Sequence, residues 1–234
     1  MCIAEKKHDL IKFRQRAMKI ILKKILKKIG LFYPIFNWLS KRRQLKELET
    51  WEKGDRTFPP PHIIKQRAIK EYAARYGCKI FVETGTFLGD MVEAMKDVFT
   101  QIYSIELSNE LCNDARLRFK GLSHIEIISG DSGDEIKNLI CKIHEPALFW
   151  LDGHYSGGPT ARGKKDTPIF EELTHILKAP SENKHVIIID DARCFGKDPS
   201  YPTLEELGNF IKSHRQDLEI TVKDDSVRIV AASC

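Results

Sequence analysis

The stretch that decides the fold is Lys79-Ile-Phe-Val-Glu-Thr-Gly-Thr-Phe-Leu-Gly-Asp90. An apolar run ends at the acidic residue Glu83, and two glycines, Gly85 and Gly89, follow it. The apolar run predicts a buried strand, and the glycines predict a tight turn whose backbone approaches a ligand with no Cβ in between. Asp90 begins a predicted helix, so the stretch has the strand–turn–helix order of nucleotide-binding α/β folds.

Strands and helices alternate along the rest of the chain. Apolar, β-branched runs predict parallel strands at 79–83, 101–107, 124–129, 147–152 and 185–190. Helical patterns occupy 62–76, 90–98, 109–119, 134–143, 167–177 and 204–214. Two closing runs, 219–222 and 227–231, predict an antiparallel hairpin. The pattern therefore predicts an α/β protein whose mostly parallel sheet is covered by helices on both faces.

The composition is that of a globular protein with one core. The chain has 234 residues, of which 42% are hydrophobic and 30% are charged, which suits one buried domain plus an appendage. No apolar run approaches the roughly 20 residues of a membrane-spanning helix, and no secretory signal is visible. Six scattered cysteines without a CxxC pair argue against a disulfide framework and a zinc site, so we expect a cytoplasmic protein.

The positive charge is concentrated at the N-terminus. Residues 1–53 contain 15 Lys/Arg and 5 Asp/Glu, whereas the remaining residues contain 23 and 28. In the segment 17–29, isoleucines and leucines share one helical arc and lysines occupy the opposite arc, and aromatic residues follow up to position 38. The prolines at 59–61 predict a boundary between a basic extension, 1–58, and a catalytic domain, 59–234.

Two interpretations of this extension stay open. Residues 17–38 bind an anionic membrane surface, which would place the protein at the inner face of the membrane, or their apolar face packs on the catalytic domain or on a second subunit of a homo-oligomer. Nucleic acid is not an expected partner, because no base-stacking aromatic residues alternate with the lysines and no nucleic-acid-binding motif is present.

Acidic residues follow three successive predicted strands. Glu83 ends the first strand, Glu106 ends the second, and Asp131 comes after the third. Ligands bind at the carboxyl ends of strands in doubly wound sheets. Glu83 and Asp90 would repel a pyrophosphate at the helix N-terminus, which disfavours a dinucleotide and favours a cationic cofactor. Glu106 is placed to accept hydrogen bonds from ribose hydroxyls, and Asp131 from an adenine amino group.

A second polar cluster is predicted at the next two strand ends. Strand four ends at Asp152, shortly before His154, and strand five ends at Asp190 and Asp191. Carboxylates at this density suit a hard divalent cation such as Mg²⁺. His154 is the candidate general base, because an unperturbed imidazole has a pKa of about 6.5. Arg193 is placed to pair with one of these carboxylates.

The motifs that carry a family resemblance are Val-Glu-Thr-Gly-Thr-Phe-Leu-Gly (82–89), Ser-Ile-Glu (104–106), Gly-Asp-Ser (130–132), Leu-Asp-Gly-His (151–154) and Ile-Asp-Asp (189–191). On these motifs, residues 78–232 resemble class I S-adenosylmethionine (SAM)-dependent methyltransferases. The closest resemblance is to the branch containing macrocin-type sugar O-methyltransferases and cephalosporin-hydroxylase-like proteins. One residue departs from the family pattern, because Phe87 stands where the family has a glycine.

The resemblance implies a Rossmann-like, doubly wound, seven-stranded sheet of order 3-2-1-4-5-7-6 with strand seven antiparallel, in agreement with the predicted hairpin. It implies transfer of a methyl group from SAM to a hydroxyl of a small molecule or glycan, with or without assistance from Mg²⁺. The catalytic candidates are His154 and Asp152. The cofactor-binding candidates are Glu83, Gly85, Thr86, Gly89, Glu106, Asp131 and Ser132. The metal-ligand candidates are Asp152, Asp190 and Asp191.

Two other functions are compatible with the same residues. One is a metal-dependent hydrolase or hydroxylase-like enzyme that uses Asp152, His154 and Asp190 without methyl transfer. The other is a non-catalytic module with this fold that acts at a membrane surface.

Overall fold

The computed structural model describes Leu26, residues 30–153 and residues 167–232. The predicted helix at 17–29, apart from Leu26, and the predicted base His154 lie outside the described residues. The chain divides into two compact units, residues 1–43 and residues 44–234.

The second unit is built on one seven-stranded sheet. Its strands are β1 (Ile80–Thr84), β2 (Gln101–Glu106), β3 (Ile125–Ser129), β4 (Ala147–Leu151), β5 (Val186–Ile189), β6 (Leu218–Lys223) and β7 (Ser226–Ala231). Their order is β3-β2-β1-β4-β5-β7-β6. Strands β1 to β5 pair in parallel, and β7 pairs antiparallel with both β5 and β6. The predicted strand order and the antiparallel strand seven are confirmed.

The helices that the structure describes are α1 (Phe32–Lys53), α2 (His62–Tyr76), α3 (Asp90–Met95), α4 (Asn109–Arg118), α5 (Ser132–Ile140), α6 (Ile169–Leu177) and α7 (Leu204–His214). Apolar residues of α2, α3 and α4 pack on one face of the sheet, and those of α5, α6 and α7 pack on the other. Phe81 and Val82 are neighbours in β1 and belong to different cores, yet both are fully buried. The sheet is therefore covered on both faces, as its continuous apolar strands predict.

Several helix boundaries differ from the sequence predictions. The largest differences are that α3 ends at Met95 rather than at 98, and that α5 spans Ser132–Ile140 rather than 134–143. The charged pattern predicts a helix from about Lys41 to Lys53, but α1 begins at Phe32 and continues through Pro34, a residue that normally discourages a helix. Proline is tolerated there because first-turn N–H groups have no partner inside the helix.

The hairpin between β6 and β7 brings its turn to the carboxyl edge of the parallel strands. Lys223 pairs with Ser226, and the two central residues, Asp224 and Asp225, have φ values of +50° and +60°. The backbone N–H of Ala192, just beyond β5, donates to the carbonyl oxygen of Asp225 at 2.8 Å. Of the helices that the structure describes, none combines the length and apolar character that a bilayer crossing requires.

Candidate functional site

The turn after β1 depends on its glycines. Gly85 has a φ of +85°, and a Cβ built on it would lie 2.6 Å from the carbonyl oxygen of Asp152. Gly89 has a φ of +79°, and its Cβ would lie 2.9 Å from the ring of Phe119. Both conformations belong to the left-handed region that glycine adopts readily. The turn therefore packs directly on the backbone that begins the acidic cluster after β4.

Phe87 occupies this turn in an unfavourable conformation. Its φ is +48°, and its side chain remains partly exposed. Its backbone N–H donates to Oε2 of Glu106 at 2.8 Å. A non-glycine residue in the left-handed region carries strain that the surroundings must offset. The left-handed φ gives a physical reason why a glycine suits this position.

Glu83 lies beneath the turn in a buried hydrogen-bond chain. The hydroxyl of Ser104 donates to Oε2 of Glu83 at 2.5 Å, and the hydroxyls of Thr86 and Ser104 are 2.6 Å apart. Burial raises the pKa of Glu83 from 4.5 to about 8, although the bond from Ser104 opposes the shift. Its carboxyl is therefore largely uncharged at neutral pH, so the prediction that its charge repels a pyrophosphate is wrong.

Asp90 does not supply an uncompensated charge either. Oδ1 of Asp90 is 2.9 Å from the guanidinium of Arg118, whose side chain is buried. Neither Glu83 nor Asp90 therefore provides the uncompensated negative charge from which a cationic cofactor was predicted.

Glu106, at the end of β2, holds the glycine turn that follows β1. Besides the bond from Phe87, its Oε1 accepts the backbone N–H of Ser108 at 2.9 Å. A carboxylate has about four acceptor positions, so these two bonds leave capacity for further donors. The ribose role of Glu106 stays a prediction.

Asp131 caps helix α5. Its Oδ1 accepts the backbone N–H of Gly133 at 3.0 Å, and Ser132 is the first helical residue. Ser132 is buried and lies beside Gly153, because a Cβ on Gly153 would be 3.2 Å from its hydroxyl oxygen. These contacts give both residues a structural role, and their cofactor roles stay predictions.

The carboxylates of Asp152, Asp190 and Asp191 form one cluster. One oxygen from each lies within 4.8 Å of the others, at the ends of the neighbouring strands β4 and β5. Successive residues of a strand point to opposite faces. Asp191 does not follow this alternation, because it lies beyond the end of β5 and has a φ of +55°. The prediction that these three residues lie together is confirmed.

A residue that the sequence prediction missed, Lys65, completes the cluster. Its ammonium donates to Oδ2 of Asp190 and lies 3.7 Å from Oδ1 of Asp191. Burial alone would lower the pKa of Lys65, but the neighbouring carboxylates outweigh burial and raise it. A sequence signal existed, because Lys65 precedes Ile69 and Tyr72 by four and seven residues and so shares their buried helix face.

Arg193 ties the cluster to the hairpin turn. Its Nη1 lies 2.6 Å from Oδ1 of Asp191 and also donates to Oδ2 of Asp225. The expected pairing of Arg193 with a carboxylate of the site is confirmed. Oδ1 of Asp190 is buried and, among the described residues, has no hydrogen-bond partner.

No family model matches the sequence, and no curated protein matches it. Several solved structures match in fold. The O-methyltransferase TomG from Streptomyces achromogenes, in complex with SAM, is 17% identical with a TM-score of 0.53, over 82% of this chain and 89% of that chain.

Two further structures contain S-adenosylhomocysteine (SAH). An O-methyltransferase from Bacillus cereus is 14% identical with a TM-score of 0.51, over 82% of this chain and 90% of that chain. The methyltransferase PaMTH1 from Podospora anserina is 16% identical with a TM-score of 0.51, over 81% and 88%. At these identities the similarity establishes the fold: this chain has the Rossmann-like fold of these methyltransferases.

Proposed function

We propose that this protein transfers a methyl group from SAM to a hydroxyl group of a small molecule or glycan. The observation that carries the proposal is the direct packing of Gly85, in the turn after β1, on the carbonyl of Asp152. Because of this contact, the turn proposed to bind the cofactor lies next to a cluster of carboxylates at the carboxyl edge of the sheet, where ligands of this fold class bind. Methyl transfer requires the cofactor and the acceptor to be adjacent in this way.

The cofactor would lie along the ends of β1, β2 and β3. Glu106 would accept from the ribose hydroxyls with the lone pairs that Phe87 and Ser108 leave open. Asp131 would accept from the adenine amino group, and the glycine turn would follow the methionine part. Glu83 would stabilise the turn through its hydrogen bond with Ser104. It would not attract the sulfonium through a full charge, because its carboxyl is largely neutral.

The acidic cluster fits a divalent cation. Its oxygen donors are those that Mg²⁺ prefers, and Oδ1 of Asp190 is a buried acceptor of the kind that a cation satisfies. A bound Mg²⁺ would supply Lewis acidity that lowers the pKa of an acceptor hydroxyl.

The residues of the chain would then orient the acceptor and remove its proton. Asp152 would hold the hydroxyl close to the cofactor turn, and His154 would take the proton as the methyl group is transferred. The resemblance to macrocin-type sugar O-methyltransferases supports a sugar hydroxyl as the acceptor.

We further propose that residues 17–38 attach the protein to an anionic membrane surface. Leu31 directly precedes α1, Ile35 and Trp38 lie three residues apart within it, and all three side chains are exposed. The guanidinium of Arg42 lies 4.8 Å from the centre of the Trp38 ring. Apolar and aromatic side chains beside cations are typical of helices that lie at a lipid interface.

Calorimetric titration with SAH, with and without Mg²⁺, tests the proposed reaction. We expect binding to the wild-type protein and a loss of affinity of about tenfold for Glu106→Ala, since that variant removes the ribose acceptor. Glu110→Ala, on the exposed side of α4, is the matched control and should bind as the wild type does. Absence of SAH binding under both conditions would contradict the proposal and favour a hydrolase-like reaction at the acidic cluster.

A further inference from the structure

The turn between β6 and β7 is joined to the segment after β5 by three hydrogen bonds that a single residue, Asp225, accepts. The carbonyl oxygen of Asp225 accepts the N–H of Ala192 at 2.8 Å, and its Oδ1 accepts the N–H of Arg193 at 2.8 Å. Its Oδ2 accepts from the guanidinium of Arg193. Asp225 therefore fixes both the backbone and the side chain of the segment that follows Asp191.

The turn itself does not require an aspartate at this position. In a two-residue turn whose central residues both have positive φ, glycine is favoured at the second position, where Asp225 has a φ of +60°. Asp225 is only 5% exposed, so its carboxylate is also withdrawn from water. Burying a charge is unfavourable unless the charge is paired. The bonds to Arg193 supply the pairing, and they connect Asp225 to the acidic cluster.

Arg193 connects Asp225 to the acidic cluster through one nitrogen. Its Nη1 carries two hydrogens and contacts both Asp225 and Asp191, so the guanidinium bridges the two carboxylates. Asp191 is also held at a φ of +55°, a conformation that persists in a non-glycine residue only when its surroundings enforce it. Without the charge of Asp225, the guanidinium would lose one of these two anchors, and it would no longer hold Asp191 beside Asp190.

We infer that Asp225 is a positioning residue for the acidic cluster and acts through Arg193 on the carboxylate of Asp191. The hairpin turn would hold the guanidinium in place, and the guanidinium would hold the carboxylate of Asp191 beside that of Asp190, where both face a divalent cation. This inference deepens the proposed function and rests on the metal-binding role proposed for the cluster.

Binding of Mn²⁺ to the full-length protein, followed by electron paramagnetic resonance, tests the inference. Asp225→Asn keeps an oxygen for the backbone N–H of Arg193 but removes the charge, and asparagine tolerates a positive φ. We expect this variant to bind Mn²⁺ at least tenfold more weakly, the range observed for partners of metal ligands, with a changed spectrum of the bound ion. Equal affinity in the variant and the wild type would overturn the inference.

Asp224→Asn is the matched control in the same turn. Asp224 also has a positive φ, but its Oδ2 accepts from Arg228 at 3.0 Å and not from Arg193. We expect this variant to bind Mn²⁺ within about twofold of the wild type, because its partner lies outside the cluster. An equal loss in both variants would show that only the integrity of the turn matters, and it would overturn the specific role of Asp225.

Crystal structures of the two variants separate this inference from the proposed function. If the wild type binds no Mn²⁺, the proposed metal assistance fails, and the positions of Asp191 decide the inference. A carboxylate of Asp191 displaced from Asp190 in Asp225→Asn, but not in Asp224→Asn, supports the positioning role. An unchanged cluster in both variants overturns it.

Discussion

Gly85 shows how a single missing Cβ shapes the candidate site. A methyl group there would overlap the carbonyl oxygen of Asp152, which belongs to the backbone and not to a side chain that rotates away. Gly77 offers a comparison, because its φ is also positive, at +65°, but a Cβ on Gly77 would meet no atom within 4 Å. A comparison of alanine variants at the two positions therefore separates the effect of backbone conformation from the effect of close packing.

We predict that Gly85→Ala destabilises the protein more than Gly77→Ala does and that only Gly85→Ala weakens SAH binding. A positive φ costs an alanine about 1 kcal/mol in both variants, whereas the overlap with Asp152 adds at least ~1 kcal/mol in the first. Urea unfolding measures the free energy of unfolding, and calorimetry measures the affinity for SAH. Equal free energies of unfolding, with equal SAH affinity, would contradict the close packing.

Glu83 gives a prediction about pH. Its pKa is raised from 4.5 to about 8 in the folded protein, so the folded state holds this proton more tightly than the unfolded state does. The free energy of unfolding therefore falls as pH rises from about 4.5 towards 8. Glu83→Gln removes the titrating group. We predict that, between pH 5 and pH 9, the wild type loses about 4 kcal/mol more stability than this variant, since each pKa unit corresponds to about 1.4 kcal/mol.

Urea unfolding at both pH values measures this difference. Glu110→Gln, at an exposed position of α4, is the control and should follow the pH dependence of the wild type. A parallel decline of the wild type and Glu83→Gln would contradict the raised pKa of Glu83.

Residue identities in the site were predictable from the sequence to different degrees. Asp152, Asp190 and Asp191 were found because strand ends are visible as the ends of apolar runs. Lys65 was missed because an ammonium in a helical pattern is usually solvated, and only the fold brings α2 over the end of β5. The neutral state of Glu83 was missed because its depth of burial depends on residues far along the chain.

Helix α5 combines a structural and a predicted functional role at its first turn. Asp131 caps the helix by accepting the N–H of Gly133, and it is also the predicted acceptor for the adenine amino group. A serine at this position would still cap the helix, but its shorter side chain would not reach the adenine. An alanine would do neither.

We predict that Asp131→Ala loses about 1 kcal/mol of stability and about tenfold in SAH affinity, which corresponds to one cap and one hydrogen bond. Asp131→Ser should retain the wild-type stability and lose only the affinity. Thermal unfolding and calorimetry on both variants provide the test. If Asp131→Ser bound SAH as the wild type does, Asp131 would be a cap with no role in cofactor binding.

Boundaries of helices were less predictable than their existence. Apolar periodicity identified α3 and α5, but their ends depend on local details such as the cap at Asp131 and the backbone at Met95. Pro34 does not break α1, because the effect of a proline depends on whether it lies inside a helix or in its first turn.

For the molecule as a whole, alternation of strands and helices predicted the α/β class, and the closing hairpin was visible in the sequence. The positions of the strands in the sheet came from the family resemblance, since periodicity contains no information about which strands are neighbours. The three-dimensional cluster of Lys65, Arg193 and the aspartates depends on those positions.

The uneven charge of the whole chain leads to a prediction about membranes. Replacing Lys23, Lys24, Lys27 and Lys28 with glutamine should reduce binding to vesicles containing phosphatidylserine by about tenfold or more, because each lysine near an anionic surface contributes about 1 kcal/mol. The matched control replaces four exposed lysines of the second unit, Lys120, Lys142, Lys178 and Lys197. Vesicle co-sedimentation measures the membrane binding of both variants.

Unchanged co-sedimentation of the first variant would contradict membrane attachment. It would favour the other interpretation, in which the apolar face packs on protein, and analytical ultracentrifugation would then test for a second subunit.

The antiparallel strand β7 lies between β5 and β6, yet it is the last of the seven strands to leave the ribosome. Until residues 226–231 have been synthesised, β5 has a partner on one side only, and the turn that holds Arg193 is not closed. The contacts between β1, β2, β3, β4 and β5 are therefore all encoded before the acidic cluster is complete. Messages cut short before the codons of β7 would yield a chain that lacks the core residues Val227 and Ile229 and whose acidic cluster has no ordered hairpin turn beside it.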